Sequence, residues 1–330
     1  MVLQGTGGVW RIRTDDGETL EASLRGRLKR EPGRDSRERD MQDRGGGRES
    51  MRRGAPADEI ARPLKLTVGD RVTVTTVPGE SSWAIDAIHP RRSQLARRSP
   101  GGARGERIMV ANLDQVLVVF AAARPEPHPR MLDRFLVIAE ANHLAARVVI
   151  NKCELVDERT IQSHFADQNA AGYPIHLTSV VSGAGLEWLR AEVEGKSSAL
   201  TGPSGVGKSS LMNRLFPGLN LRIAEISESV NKGRHTTVGA VLHPLPSGGF
   251  VADTPGLREV GLWNIAPEDL AACFPEFRPL LSSCRFADCL HTVEPGCAIR
   301  ESVKDGRVRT GRYESYLKLR AELVEGADIW

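Results

Sequence analysis

Cysteine is scarce, five in 330 residues, which excludes a small domain stapled by disulfides. Aromatic residues make up only 5% of the chain, too few to stack successive bases of a single strand. No apolar run approaches the roughly 20 residues of a membrane helix; the longest runs from Val116 to Ala123. Met1 to Arg13 holds a Trp and two Arg but no apolar signal core, so secretion is not expected. What is present is ordinary for a globular protein, with 40% hydrophobic and 26% charged residues. The length predicts two or three domains. The expectation is a monomeric protein of the reducing cytoplasm with no membrane partner.

Charge is distributed unevenly. Residues 1–107 carry 22 Lys+Arg against 16 Asp+Glu, leaving 23 against 26 for the remainder. A basic front on a mildly acidic body suits a polyanionic partner. His89 to Arg107 concentrates Arg91, Arg92, Arg97, Arg98, Arg104 and Arg107 against Glu106 alone. Such a stretch binds phosphates by counterion release, and with few aromatics it favours folded RNA read by shape and backbone. The competing reading is a basic linker between domains.

Three segments separate by pattern. Up to residue 107, period-two runs (Val9 to Arg13, Thr19 to Ala22, Val68 to Val74, Trp83 to Ile88) alternate with turn signals and predict a small all-β barrel. Arg30 to Pro63 interrupts them with Arg, Asp, Glu and Gly and almost no large apolar residue, which predicts a disordered insertion. Residues 108–270 read as strand and helix in alternation. Gln115 to Phe120, Arg147 to Ile150, Ile175 to Leu177 and Ala199 to Leu200 are apolar strands, and Met131 to Ala139 has helical spacing. That predicts a parallel α/β sheet with its ligand beyond the strands' carboxyl ends. Residues 271–330 form a third domain, with a cysteine cluster and a helical tail from Gly311 to Leu323.

Gly202-Pro203-Ser204-Gly205-Val206-Gly207-Lys208-Ser209 fits the phosphate-loop pattern and stands between a strand and a helix that begins near Ser210. Glycines let main-chain N–H groups wrap a phosphate, and the following helix N-terminus adds positive charge. Lys208 is the candidate catalytic cation for the outer phosphates, and the Ser209 hydroxyl a Mg²⁺ ligand. Asp253-Thr254-Pro255-Gly256 ends an apolar strand, where Asp253 can hold the Mg²⁺ shell and Gly256 N–H can meet the terminal phosphate. Between them, Lys232 to Thr237 is polar, and one of Thr236 and Thr237 is a further Mg²⁺ candidate. His235 has two readings, a catalytic group that positions water or a surface loop histidine. Leu257 follows the Asp253–Gly256 motif where a polar water-orienting residue could have stood.

Asn151-Lys152-Cys153-Glu154, at the end of a strand, resembles the guanine-reading motif N-K-x-D of GTPases, with Glu in place of Asp. Leu177-Thr178-Ser179, at the next strand end, resembles the loop that packs on the base through backbone N–H groups. Both precede the phosphate loop, whereas an ordinary GTPase carries them after it. A chain cut and rejoined at surface loops keeps its sheet, and here the order leads Asp253–Gly256 directly into the last segment. Nucleotide-driven movement would be handed to that segment.

Cys284-x₄-Cys289-x-His291-x₅-Cys297 collects three thiols and an imidazole. This donor set suits a closed tetrahedral Zn²⁺ site of structural kind, leaving Cys153 and Cys273 as non-ligands.

Motif order, predicted barrel and cysteine pattern together resemble the circularly permuted GTPases of the ribosome-small-subunit-dependent GTPase A family over nearly the whole chain. The resemblance implies an OB-fold front domain, a guanine-nucleotide core with Mg²⁺, and a mostly helical zinc-binding tail. It also implies action in late maturation of the small ribosomal subunit, through its rRNA, with hydrolysis slow alone and stimulated by the subunit. The alternative is a nucleotide-gated ribosome-binding protein in which hydrolysis is incidental. Glu154 and the Arg-rich insertion depart from the family pattern.

Overall fold

The computed structural model describes residues 1–25, 65–98, 106–219, 221, 240–253 and 265–325. The predicted insertion from Arg30 to Pro63 lies outside them, as do His235, Thr236, Thr237 and Gly256. The chain divides into two compact units, Met1–Pro90 and Arg91–Trp330.

The first unit is a five-stranded sheet of β1 (Val2–Thr6), β2 (Val9–Arg13), β3 (Thr19–Leu24), β4 (Val72–Thr76) and β5 (Trp83–Ile88), in the order β1-β2-β3-β5-β4. Pairing is antiparallel except between β3 and β5, where Ala22 to Leu24 run parallel to Trp83 to Ile85. Alternation sends Ile12, Ala22 and Ile85 inward to join Val2 and Leu66. At Gly5 a Cβ would stand 2.4 Å from the Trp10 ring, so the indole lies flat only because that position has no side chain. Val68 to Asp70 is not strand. Asp70 N bonds Thr67 O, its carboxylate accepts from Thr67 N at 2.8 Å, and this turn delays the strand to Val72.

In the second unit β6 (Gln94–Arg98) and β7 (Glu106–Ala111) form an antiparallel ribbon, so part of the basic stretch is strand. The central sheet follows. Its elements are β8 (Gln115–Ala121), α1 (Pro129–Ala141), β9 (Ala145–Asn151), α2 (Glu158–His164), α3 (Ala166–Ala170), β10 (Ile175–Leu177), α4 (Leu186–Val193), β11 (Ser197–Thr201), α5 (Lys208–Leu215), β12 (Val241–Pro244) and β13 (Phe250–Asp253). Strand order is β10-β9-β8-β11-β13-β12, parallel throughout except for the edge strand β12. Pro244 sits on that edge strand, where its missing N–H costs no central ladder bond. Every residue of β8 and of β11 is buried, as expected of strands covered on both faces. The sheet builds outward through β8, β9 and β10 on one side and through β11, β13 and β12 on the other. The switch point therefore falls between β8 and β11, where a crevice opens at the carboxyl ends.

The carboxyl-terminal part adds α6 (Ala298–Lys304), α7 (Thr310–Glu325) and two short 3₁₀ turns, Leu270–Cys273 and Arg278–Ser283. Phe274, Phe277, Ile299, Tyr316 and Leu319 pack with Val137 of α1 in one apolar cluster. Among the described residues no helix is long and apolar enough to cross a membrane.

Candidate functional site

The phosphate-loop residues leave β11 at Thr201 and enter α5 at Lys208. The loop is tight because three glycines take positive φ: Gly202 (129°), Gly205 (78°) and Gly207 (96°). At Gly202 the requirement is also steric, since a Cβ would lie 2.0 Å from the Val119 carbonyl oxygen on neighbouring β8. Val206 is buried and anchors the loop, while Ser204 is exposed and Pro203, Ser209 and Ser210 are half-buried. Lys208 folds back along the loop, its Nζ donating to Gly202 O at 2.8 Å and Pro203 O at 2.7 Å. That holds the ammonium against the start of the loop, while Lys208 itself opens the helix whose N-terminus follows the loop.

The residues expected to read the base reach this loop from β9. Asn151 is buried at the strand end, and its Nδ2 donates to Val206 O at 2.8 Å. The neighbouring position must be glycine, because a Cβ on Gly207 would stand 2.3 Å from that nitrogen. Lys152 takes a left-handed backbone (φ 61°, ψ 33°). Its Nζ donates to Gly205 O at 2.7 Å and also to Arg124 O in the loop between β8 and α1. Glu154 is exposed in the 3₁₀ turn Cys153–Leu155, tied to the next strand end by Cys153 N to Thr178 O at 3.2 Å. Burial, followed by the charge of Glu154, pushes the Cys153 thiol above its ordinary value. Ser179 is buried, and its Oγ accepts from Ser182 N at 3.0 Å, which shapes the loop after β10. Gly185 closes that loop; a Cβ there would meet Leu177 O at 2.0 Å.

On the other side, β13 pairs with β11 so that Asp253 stands opposite Leu200, one residue short of the last strand residue before the loop. The motif residues from 151 to 253 thus meet along one edge of the sheet. The Arg124 carbonyl was not foreseen from the sequence. Nothing in an exposed Arg-Pro pair signals that its main chain will receive a lysine 28 positions away.

The second site is the cysteine knuckle. Cys284, Cys289, His291 and Cys297 each offer one ligand atom, all within 4.8 Å of one another. His291 Nδ1 lies 3.5 Å from both the Cys284 and Cys297 sulfurs. About 2.3 Å for a metal–sulfur bond and 2.0–2.1 Å for metal–nitrogen make tetrahedral edges of about 3.5–3.8 Å, so the donors fit a four-coordinate cation. Burial, and then the adjacent thiols, push Cys289 up to about 12, while burial lowers His291. A cation supplies the positive charge that turns such thiols into thiolates.

Residues outside the Cys284, Cys289, His291 and Cys297 set hold this knuckle. Glu294 accepts backbone N–H bonds from Leu290 (3.1 Å), Thr292 (2.8 Å) and Val293 (3.0 Å). Desolvation alone would raise its pKa, and the main-chain donors together overcome this and bring it to about 2. From α7, the Tyr313 hydroxyl donates to His291 O at 2.7 Å and the Tyr316 hydroxyl to Leu290 O at 2.8 Å. Their i, i+3 spacing on the predicted tail helix was visible, but not their target.

Comparison with known proteins agrees with this geometry. The RsgA GTPase family model matches residues 88–263. A Gemmatimonas aurantiaca protein named small ribosomal subunit biogenesis GTPase RsgA is 64% identical over 98% of this chain and 97% of its own length. One of the same name from Bacteroides fragilis is 32% identical over 99% and 97%. The crystal structure of YjeQ from Thermotoga maritima superposes with a TM-score of 0.73 at 33% identity, covering 98% of this chain and 97% of that one. YloQ, described as a circularly permuted GTPase, gives 0.70 at 26% identity over 99% and 94%. With its base-reading strand ahead of its phosphate loop on one parallel sheet, the chain belongs to the RsgA GTPase family and has the circularly permuted GTPase fold.

Proposed function

We infer that the chain hydrolyses GTP and acts in maturation of the small ribosomal subunit, as its relatives are named to do. The observation that carries the reading is the clasp of Asn151 and Lys152 on the main chain of Val206 and Gly205. A base reader and a phosphate cradle fixed to each other are spaced for one nucleotide, with phosphates at the head of α5.

Gly202 to Ser210 would offer main-chain N–H groups to the phosphates, and Lys208 would exchange its carbonyl partners for phosphate oxygens where charge develops. Mg²⁺ bound with GTP would be held by Ser209, Asp253 and one of Thr236 and Thr237, and it would neutralise phosphate charge. Asn151, Lys152 and Ser179 shape the base pocket, and Glu154 supplies the carboxylate that accepts from guanine. Gly256 N–H is assigned to the terminal phosphate on its place in the Asp253–Gly256 motif. His235 is assigned to water positioning, because Leu257 offers no polar group. This leaves intrinsic hydrolysis slow and makes the small subunit the stimulating partner.

The knuckle of Cys284, Cys289, His291 and Cys297 would hold one Zn²⁺, which supplies structural cross-linking and no chemistry. The strand order of the first unit supports an OB-fold that binds rRNA, and the protein would work as a cytoplasmic monomer with domains at about 1–107, 108–270 and 271–330. The deciding experiment is hydrolysis of GTP against ATP, each with and without purified small subunits. GTP turnover rising with subunits while ATP stays at background is expected. Equal turnover of both nucleotides, unmoved by subunits, would refute the reading.

A further inference from the structure

Away from both sites lies a wholly buried cation. Arg312 of α7 is 0% exposed. Its Nη1 donates to Asp133 of α1 at 2.6 Å, and its Nε and Nη2 donate to Glu276 at 2.7 and 3.2 Å. Its guanidinium lies 4.7 Å over the Phe274 ring and 5.7 Å from that of Tyr173. Asp133, itself 1% exposed, also accepts from Gln168 Nε2 at 2.7 Å and from the Ser315 hydroxyl. As adhesive this is a poor choice, since apolar side chains of similar volume often hold as well without the desolvation cost. What a forked guanidinium does better is fix one arrangement, because it satisfies Asp133 of α1 and Glu276, between the two 3₁₀ turns, only when α1, α7 and that connecting segment stand in a single register. Arg130 to Glu314 at 2.6 Å and Arg134 to Glu322 repeat the seam on either side.

The register of α1 matters because of what precedes it. Pro129 begins the helix four residues after Pro125, whose Cδ lies 3.9 Å from the place of a Cβ on Gly205. Immediately before is Arg124, whose carbonyl shares the Lys152 ammonium with Gly205 O. Sliding α1 along α7 would draw that carbonyl away and release the lysine that buttresses the phosphate loop.

We propose that Arg312 is a positioning residue for the nucleotide pocket: through Asp133 it sets α1, and through α1 it sets the Arg124 carbonyl that holds Lys152. The carboxyl-terminal segment is then part of the nucleotide site rather than a passive appendage. This rests on the GTPase reading above, and it runs through α1, a route distinct from the one that follows Asp253.

Coupling of this kind is reciprocal, so the intact chain can test it. Hydrogen exchange is measured with and without saturating GDP. Protection is expected over 202–210 and 151–154 and also in α1 and around Arg312 in α7. Protection of the loops with α7 unchanged overturns the proposal, whereas no protection anywhere overturns nucleotide binding itself. Arg312→Lys keeps the charge and removes the fork. It is expected to raise the GDP Kd and the GTP KM about tenfold, within the range usual for coupled sites, with kcat and metal content retained. A lowered melting temperature with an unchanged Kd would make Arg312 merely structural. Should the variant not fold, the exchange pattern of the unaltered protein decides.

Discussion

At the phosphate loop nearly every fixing contact is made to main chain: Lys208 to Gly202 O and Pro203 O, Asn151 to Val206 O, Lys152 to Gly205 O. At the cysteine knuckle the backbone is held by side chains (Glu294, Tyr313 and Tyr316), and its own apolar residues face outward, with Val293 81% and Phe286 40% exposed. The first region is shaped by a buried parallel sheet whose core includes Leu117, Val119, Leu200 and Val206. The second leaves part of its apolar surface exposed, and the cation proposed for it would add what packing there does not supply. A rigid cradle suits a ligand that comes and goes; a cation-built knuckle suits a surface that must keep one form.

Stripping the metal sharpens this contrast most. Apparent binding free energies of about 10 kcal/mol or more are typical of structural zinc. Chelation at neutral pH should therefore abolish exchange protection across 284–297 and loosen α7, while β8, β9 and β11 keep theirs. A knuckle that stays protected without metal would break the comparison.

Gly202→Ala comes next. Its Cβ would press to 2.0 Å on Val119 O at a φ of 129°, for a loss of about 4 kcal/mol or more, read as the denaturation midpoint. Native stability would mean that the main-chain ring is looser than drawn. Lys208→Ala should cut GTP turnover about a hundredfold, the scale of losing one charge-stabilising donor. Metal content should hold, while the melting temperature should fall modestly, since Gly202, whose carbonyl loses this donor, is buried. Turnover within a few-fold of the unaltered chain would remove the lysine from the chemistry.

The smallest effect belongs to Glu294. Its pKa is depressed from the ordinary 4.5 to about 2, so its contribution is complete above about 4.5 and is lost as pH falls through about 2. Glu294→Gln should flatten the stability profile of the knuckle in that acid window and leave it nearly unchanged at neutral pH. A profile that keeps its acid slope would assign the dependence to another group.

Much of both sites was legible in the chain because their chemistry is local. Gly202 to Ser209 is a contiguous run, and so is the spacing of Cys284, Cys289, His291 and Cys297, where residue type and interval encode geometry directly. Period-two spacing placed β2, β3 and β5, continuous apolar runs placed β8 to β11, and helical spacing placed α1, for the same reason. Val68 to Asp70 misled, because a buried aspartate that caps its own turn looks like one polar member of an alternating strand. The ribbon of β6 and β7 was hidden, because arginines leave Leu95 as the one large apolar residue of β6, and the buried residues of β7, Met109, Val110 and Ala111, are consecutive rather than alternating.

The sequence by itself determined which residue types stand at which intervals: a glycine-rich loop ending in Lys208 and Ser209, Asn151 and Lys152 at a strand end, and Cys284, Cys289, His291 and Cys297 close together. Only the tertiary structure decided what grips the motifs. Lys152 meets Arg124, Tyr313 meets His291, and Arg312 meets Asp133 across 179 residues of chain. Those pairings obey no sequence interval, because they arise where two helices and a sheet edge pack and each polar group that loses water must find a partner.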